Sequence, residues 1–378
     1  MRATLSVKSL RGALSRVGRF AERRTTIPIL SMFHFEVVDN QLGVAATDFD
    51  VEARMRVPVM GAENGSICVP ASLLRLVRTL PNWDTISLWT TPELQLVVDL
   101  PDGRVSMIGV DPSDFPWIVP KGEFGYWTLP VTELLDAFAR VRPFISEEET
   151  RYYLNGVFLK SEGERVNFAA TNGHTLGSFL IEAPSAAPIA GMIIPRQAVS
   201  RLSKALPRGG DVKLGYSASH VTFDADAIRI VSRLIDGKFP DFARVIPTNP
   251  TEFLTIPRAP WLGKFSRIAG IPRIQRAAQV HTRGSAISVS MQSHDFGEMI
   301  IALPGQRRHD LGDDFAFGCD ARLMIDCLLV CRTDEIELAF TAEGAPIRLA
   351  DKAGMLAVIM PLRAASKPTI ELPEGAAA

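Results

Sequence analysis

Cysteine is scarce in this 378-residue chain: only Cys68, Cys319, Cys327 and Cys331 occur. None forms a Cys-x-x-Cys pair or has a neighbouring histidine pair, so no zinc site is expected. Cys327 and Cys331 stand four apart in an apolar helical stretch, where two buried thiols are expected. Such sparse usage fits a reduced, cytoplasmic protein. No apolar run reaches the roughly 18 residues of a membrane-spanning helix, so no membrane partner is expected. Lys8 and Arg11 interrupt the N-terminus before a secretory apolar core can form. Net charge is nearly absent, at −1, which taken alone argues against a nucleic-acid binder.

Catalytic signatures are lacking too. Gly237-Lys238 and Gly263-Lys264 both lead into Phe, so neither ends a phosphate-binding P-loop. No G-x-S-x-G elbow or H-E-x-x-H pair exists. His309, Asp310, Asp313 and Asp314 fall in a Gly-containing polar turn. Glu147-Glu148-Glu149 reads as an exposed loop. Asp48 and Asp50 sit at a strand end, where turns favour Asp over paired catalytic carboxylates. His174, in Thr171-Asn172-Gly173-His174, reads as a turn histidine. The expectation is no catalytic residue, no cofactor and no metal.

What the chain does contain is a threefold repeat. A helical segment, Val7–Val17, returns at Val131–Val141 and more faintly at Arg258–Ile268. A strand end, Val44-Ala45-Ala46-Thr47-Asp48, returns as Phe168-Ala169-Ala170-Thr171-Asn172, with Ser290–His294 as its third copy. Ile67–Pro70 returns as Met192–Pro195 and as Phe315–Gly318. The period of about 124 residues is too long for a solenoid, so each copy is a domain with its own core. Prolines mark the boundaries at Asp114–Pro120 and Phe239–Pro247. Val51, Ala53, Met55 and Val57 alternate with charged residues as a half-buried antiparallel strand, and 221–230 alternates similarly. The class is α+β, with two short helices per domain on mostly antiparallel sheet.

Charge is segregated by element. The six predicted helical windows, 7–20, 71–80, 131–144, 195–208, 258–276 and 319–332, together carry +15, leaving −16 for the rest. One basic surface on an otherwise acidic protein predicts a polyanion held by the helices. Solvated helix faces with snorkelling Lys and Arg are the plainer alternative. Arg196, Arg201, Lys204 and Arg267 are the candidate phosphate contacts.

With these residues in hand, the chain resembles the bacterial DNA polymerase III sliding-clamp family, the β subunits of the replicase. The resemblance rests on Ile27–Leu30, Arg151–Gly156, Ala170–Leu176, Phe239–Pro247 and Val358–Arg363, in the family's order, and covers residues 1–363. It implies three tandem clamp domains, at 1–121, 126–248 and 250–363, with a tail at 364–378 expected to be disordered. It also implies a head-to-tail homodimeric ring that encircles duplex DNA and tethers polymerases. Twelve helices at a spacing of about 9 Å would line a hole roughly 35 Å wide.

By the same resemblance Arg24 and Tyr153 lie near DNA, and Val105 and Met107 meet Ile271 across the dimer junction. DNA polymerase and clamp-loader subunits would dock through short linear peptides. Their pocket would combine Leu154, Thr171, Gly173, His174 and Leu176 with Pro240, Arg244 and Val245. The C-terminal stretch Val358, Met360, Pro361, Leu362 and Arg363 completes it. The family commonly has Thr-Asp-Gly-His-Arg-Leu where this chain has Asn172 and Thr175. Two other uses of the scaffold are distinguishable from a ring: a regulatory or decoy binder that never encircles DNA, and a nuclease using Asp48 and Asp50.

Overall fold

The computed structural model describes residues 1–185, 188–271, 277–293, 297–307, 315–342 and 344–362. The polar turn at 309–314, His294, Arg363 and the tail from 364 lie outside them. Among the described residues the fold is α+β, with antiparallel sheets and six short α-helices. These are α1 (Val7–Val17), α2 (Leu73–Thr79), α3 (Val131–Val141), α4 (Arg196–Ala205), α5 (Arg258–Ala269) and α6 (Ala321–Val330). Each falls inside a predicted window. In α1, Ser6 Oγ caps the first turn by accepting the Ser9 N–H at 3.1 Å. Val7, Leu10, Ala13, Leu14 and Val17 then recur at helical spacing and are buried. Ala198, Val199, Leu202 and Ala205 repeat that pattern in α4.

The chain divides into two units, residues 1–135 with 183–236, and 136–182 with 237 onward. In the first, one sheet runs in the order Met60–Glu63, Arg2–Leu5, Ile86–Thr90, Gln95–Leu100, Gly103–Ile108. A second runs Gly125–Pro130, Asp211–Tyr216, His220–Ala225, Ile228–Arg233, Val51–Pro58, Gln41–Thr47, Met32–Val38, Gly65–Pro70. Its centre joins two sequence repeats, with Ile228, Ile230 and Ser232 opposite Met55, Ala53 and Val51. The second unit has the corresponding junction, where Thr175–Glu182 pairs with Met355–Ile359. A four-stranded sheet orders Gly297–Leu303, Ala286–Ser293, Ala277–Arg283 and Phe315–Asp320.

One expectation needs correction. Residues 221–230 are not a single strand but two, His220–Ala225 and Ile228–Arg233, hairpinned through Asp226. Asp226 has φ +50°, a left-handed conformation that Asp tolerates better than most residues. Val221, Phe223, Ala225 and Ala227 carry one apolar phase into the turn and Ile228 and Ile230 take the opposite one, a one-residue shift that is easily read past in so short a stretch.

The boundary segment after the first repeat is latched to the sheet beneath it. The Phe115 and Trp117 rings lie 5.1 and 4.7 Å from the His34 ring. The Arg54 guanidinium stands 4.2 Å over Trp117. Glu52, fully buried, pairs with Arg54 and accepts the Ile118 N–H at 2.8 Å. Two partners satisfy a carboxylate that would otherwise be costly to bury.

Not all helical charge faces solvent. On α1, Arg11 Nε donates to the Val77 carbonyl at 3.1 Å and Nη1 to Asn82 Oδ1 at 2.6 Å, tying α1 to the end of α2. Lys264 on α5 donates to the Ala302 carbonyl at 2.6 Å. The four thiols are buried, and burial pushes Cys68 and Cys331 up to about 12, leaving them protonated and unreactive.

Candidate functional site

The second unit contains an apolar cavity of about 290 Å³. Leu154, Leu176 and Val358 line it and are almost fully buried, while Met360 and Val245 are each 38% exposed. Strand pairing explains how distant residues meet: Leu176 lies opposite Val358, and the Met360 N–H donates to the His174 carbonyl at 2.8 Å. Pro361 ends the pairing there, as expected of a residue without an N–H. On another side the Phe239 ring stacks on Phe158 at 4.7 Å, and Phe242 packs edge-on to both. Those contacts set Pro240, Asp241 and Phe242 along the cavity.

The Thr171–Thr175 turn forms its rim. Asn172 Oδ1 accepts the His174 and Thr175 N–H groups at 2.9 and 2.8 Å. Thr171 Oγ1 accepts the Gly173 N–H at 3.1 Å and donates to the Thr175 carbonyl at 2.7 Å. Gly173 has φ +87°, and a Cβ there would stand 2.7 Å from Arg151 Nη1. The backbone conformation therefore favours glycine, while the guanidinium, at the end of a flexible side chain, could move aside for a Cβ. The first repeat builds the same turn: Asp48 Oδ1 accepts the Asp50 and Val51 N–H groups at 3.1 and 2.8 Å. Phe49 donates to Thr47 Oγ1 at 3.2 Å and takes φ +77° where the second copy has glycine. A bulky side chain rarely adopts that conformation.

The cavity thus gathers Leu154, Thr171, Gly173, Leu176, Pro240, Val245, Val358 and Met360. It adds Arg151, Thr175, Asp241 and Phe242, which sequence reasoning missed, and Tyr153, expected near DNA. His174, Arg244, Pro361 and Leu362 are not among its lining residues. Arg244 instead pairs with Asp241 at 2.8 Å, and the Leu362 N–H donates to the Gly318 carbonyl.

The first unit contains a basic cleft of about 320 Å³, where Arg19, Glu22 and Arg23 face Ser200, Arg201 and Lys204 from α4. Lys204 and Arg24 are exposed. Arg201 is largely enclosed: its Nη1 lies 2.5 Å from Asp48 Oδ2, and its guanidinium lies 5.7 Å from the Phe20 ring. That pair holds the Asp48 turn to α4 and leaves Arg201 less available to an outside phosphate than Lys204. Asp48 is thereby engaged by Arg201 and two backbone N–H groups. In the second unit Arg267 is exposed on α5. Arg196 opens α4.

Residues 1–119 match the family described as DNA polymerase III beta subunit, N-terminal domain, and residues 128–241 match its central domain. The beta sliding clamp of Caulobacter vibrioides strain NA1000 is 30% identical over 380 residues, covering 96% of this chain and all of that protein. The chain belongs to the bacterial DNA polymerase III β-subunit family. Its fold is that of solved sliding clamps over most of its length. The Bartonella birtlesii DnaN sliding clamp bound to griselimycin superposes with a TM-score of 0.89 at 29% identity, covering 96% of this chain and all of that one. For the β subunit of Pseudomonas aeruginosa the TM-score is 0.91 at 25% identity, with the same coverage. Neither domain match extends beyond residue 241, where the third repeat was also faintest in the sequence.

Proposed function

We propose that this chain is a non-catalytic sliding clamp, which encircles duplex DNA as a homodimer and tethers polymerases inside the cell. End-to-end similarity to sliding clamps carries this reading. The basic helices and the apolar cavity support it. Arg24, Arg196, Lys204 and Arg267 would meet phosphates without reading sequence, and Arg201 would chiefly hold its turn in place. The three domains would span 1–121, 126–248 and 250–363.

Ring closure is testable by topology. Clamps loaded on nicked circular DNA by a bacterial clamp loader should survive about 0.5 M salt, because linkage does not depend on screened contacts. Linearising that DNA should release them by sliding off the ends. Equal retention on both substrates would exclude an encircling ring. Arg24→Glu with Lys204→Glu should weaken direct DNA binding several-fold at low salt without unfolding, since exposed charges add little stability.

The dimer junction would use Gly103–Ile108, the edge strand of its sheet. Val105 and Met107 are half-buried there, and Ile108 is 77% exposed. An apolar open edge invites a partner strand. Ile271, half-buried just beyond α5, would lie on the opposing side. Ile271→Asp should produce monomers in sedimentation; a variant that remains dimeric would place the junction elsewhere.

A further inference from the structure

The cavity in the second unit has two charged residues among its described lining, Arg151 and Asp241, and each faces an opposite charge that does not line it. Arg151 Nε and Nη2 donate to the two carboxylate oxygens of Glu148 at 2.8 and 2.6 Å. Nη2 also reaches the Asn172 carbonyl at 3.3 Å. This is the two-pronged geometry in which guanidinium and carboxylate bind most strongly. Asp241 is matched by Arg244.

Glu148 is held in place by its backbone. Its N–H donates to Ser146 Oγ at 3.2 Å, its carbonyl accepts from Asn155 Nδ2 at 3.1 Å, and the Ser146 N–H donates to the Leu154 carbonyl at 3.1 Å. The loop from 146 to 155 thus closes on itself and presents one carboxylate to Arg151. The Arg151 hydrogen bonds keep that carboxyl below its usual range, so it stays ionised at neutral pH.

We propose that Glu148 determines the charge selectivity of this cavity: by occupying Arg151, it makes the site take an uncharged apolar peptide segment and withholds the cation from acidic ones. The inference rests on the reading of the cavity as a peptide-docking site. An acidic side chain would have to displace Glu148 from a two-bond pair, and the loop holds Glu148 close by to compete. An uncharged segment would lose nothing, since Leu154, Leu176, Val358 and Met360 supply its contacts. Glu148→Gln keeps the shape and removes the charge.

The probes are a fluorescein-labelled pentapeptide with Gln at its start and Leu-Phe at its end, and versions carrying Asp or Lys at each interior position in turn. Binding to the full chain is measured by anisotropy at 50 mM and 500 mM salt. In Glu148→Gln, at least one Asp peptide should bind about three- to tenfold tighter than to wild type. The matching Lys peptide should weaken, the uncharged parent should change less than twofold, and the Asp gain should shrink at high salt. Opposite signs for Asp and Lys distinguish charge selection from a loosened loop, which would weaken all peptides alike. If no Asp peptide gains over the parent, Glu148 does not determine selectivity. If the parent fails to bind wild type, the docking reading itself is wrong.

Discussion

Truncating Met360 to alanine is expected to weaken an extended Gln-to-Leu-Phe peptide at least tenfold from roughly micromolar affinity, a loss of about 1.4 kcal/mol or more. Leu362→Ala should change it little. Both side chains are exposed to similar degrees and lie two residues apart, but only Met360 lines the cavity. Methionine's unbranched stem suits a wall that must fit different apolar partners. Because Met360 already contacts water, its truncation should leave the fold intact, unlike a change at buried Leu176. Isothermal titration of the two single variants tests this. Equal losses would show that the peptide runs past the cavity toward Leu362, and no loss from Met360→Ala would place docking elsewhere.

Acid should destabilise the first unit through His34. Burial, aided by the nearby Arg54 charge, lowers this imidazole to about 4 in the fold, against about 6.5 in an unfolded chain. Its contribution is therefore complete above pH 6.5 and is lost as pH falls from 6.5 to 4, because the unfolded state binds the proton first. The gap corresponds to about 3 kcal/mol. Glu52 acts in the opposite direction: burial raises its carboxyl, so the folded state takes up that proton earlier. Urea midpoints of wild type and His34→Leu, measured across this range, separate the two. The wild-type curve should fall relative to the variant as pH drops, with the Trp117 surroundings reporting the change. Parallel curves would mean that His34 titrates normally.

The paired turns show what was legible in the sequence. Ala45-Ala46-Thr47-Asp48 and Ala169-Ala170-Thr171-Asn172 look alike, and both fold through the same local side-chain-to-backbone bonds. Local chemistry of this kind is written in adjacent residues. Helix positions were equally readable, because burial repeats within each one. Which cations stay available was not readable. Arg201 meets Asp48 and Arg11 meets Val77 only after the sheets and helices pack, and a summed charge carries no sign of either contact. The cavity residues came from resemblance to a family. Arg151 and Phe242 lie within the stretches that carry that resemblance, but their place at the cavity depends on packing against Gly173 and against Phe158 and Phe239.

The two-part build of each unit has a consequence for synthesis. Val51–Pro58 cannot pair with Ile228–Arg233 until its partner leaves the ribosome, roughly 10–30 s later at about 5–20 residues per second. During that wait it is an open sheet edge. Glu52, Arg54 and Arg56 then act as guards, since charges on an edge discourage pairing with a neighbouring nascent chain. The Glu52 carboxylate that ends up buried under Ile118 would begin as a solubilising group. Thr175–Glu182 waits as long for Met355–Ile359 and carries no charge before Glu182. Of the two late-closing edges, the one beside the cavity is the less protected while the chain is still being made.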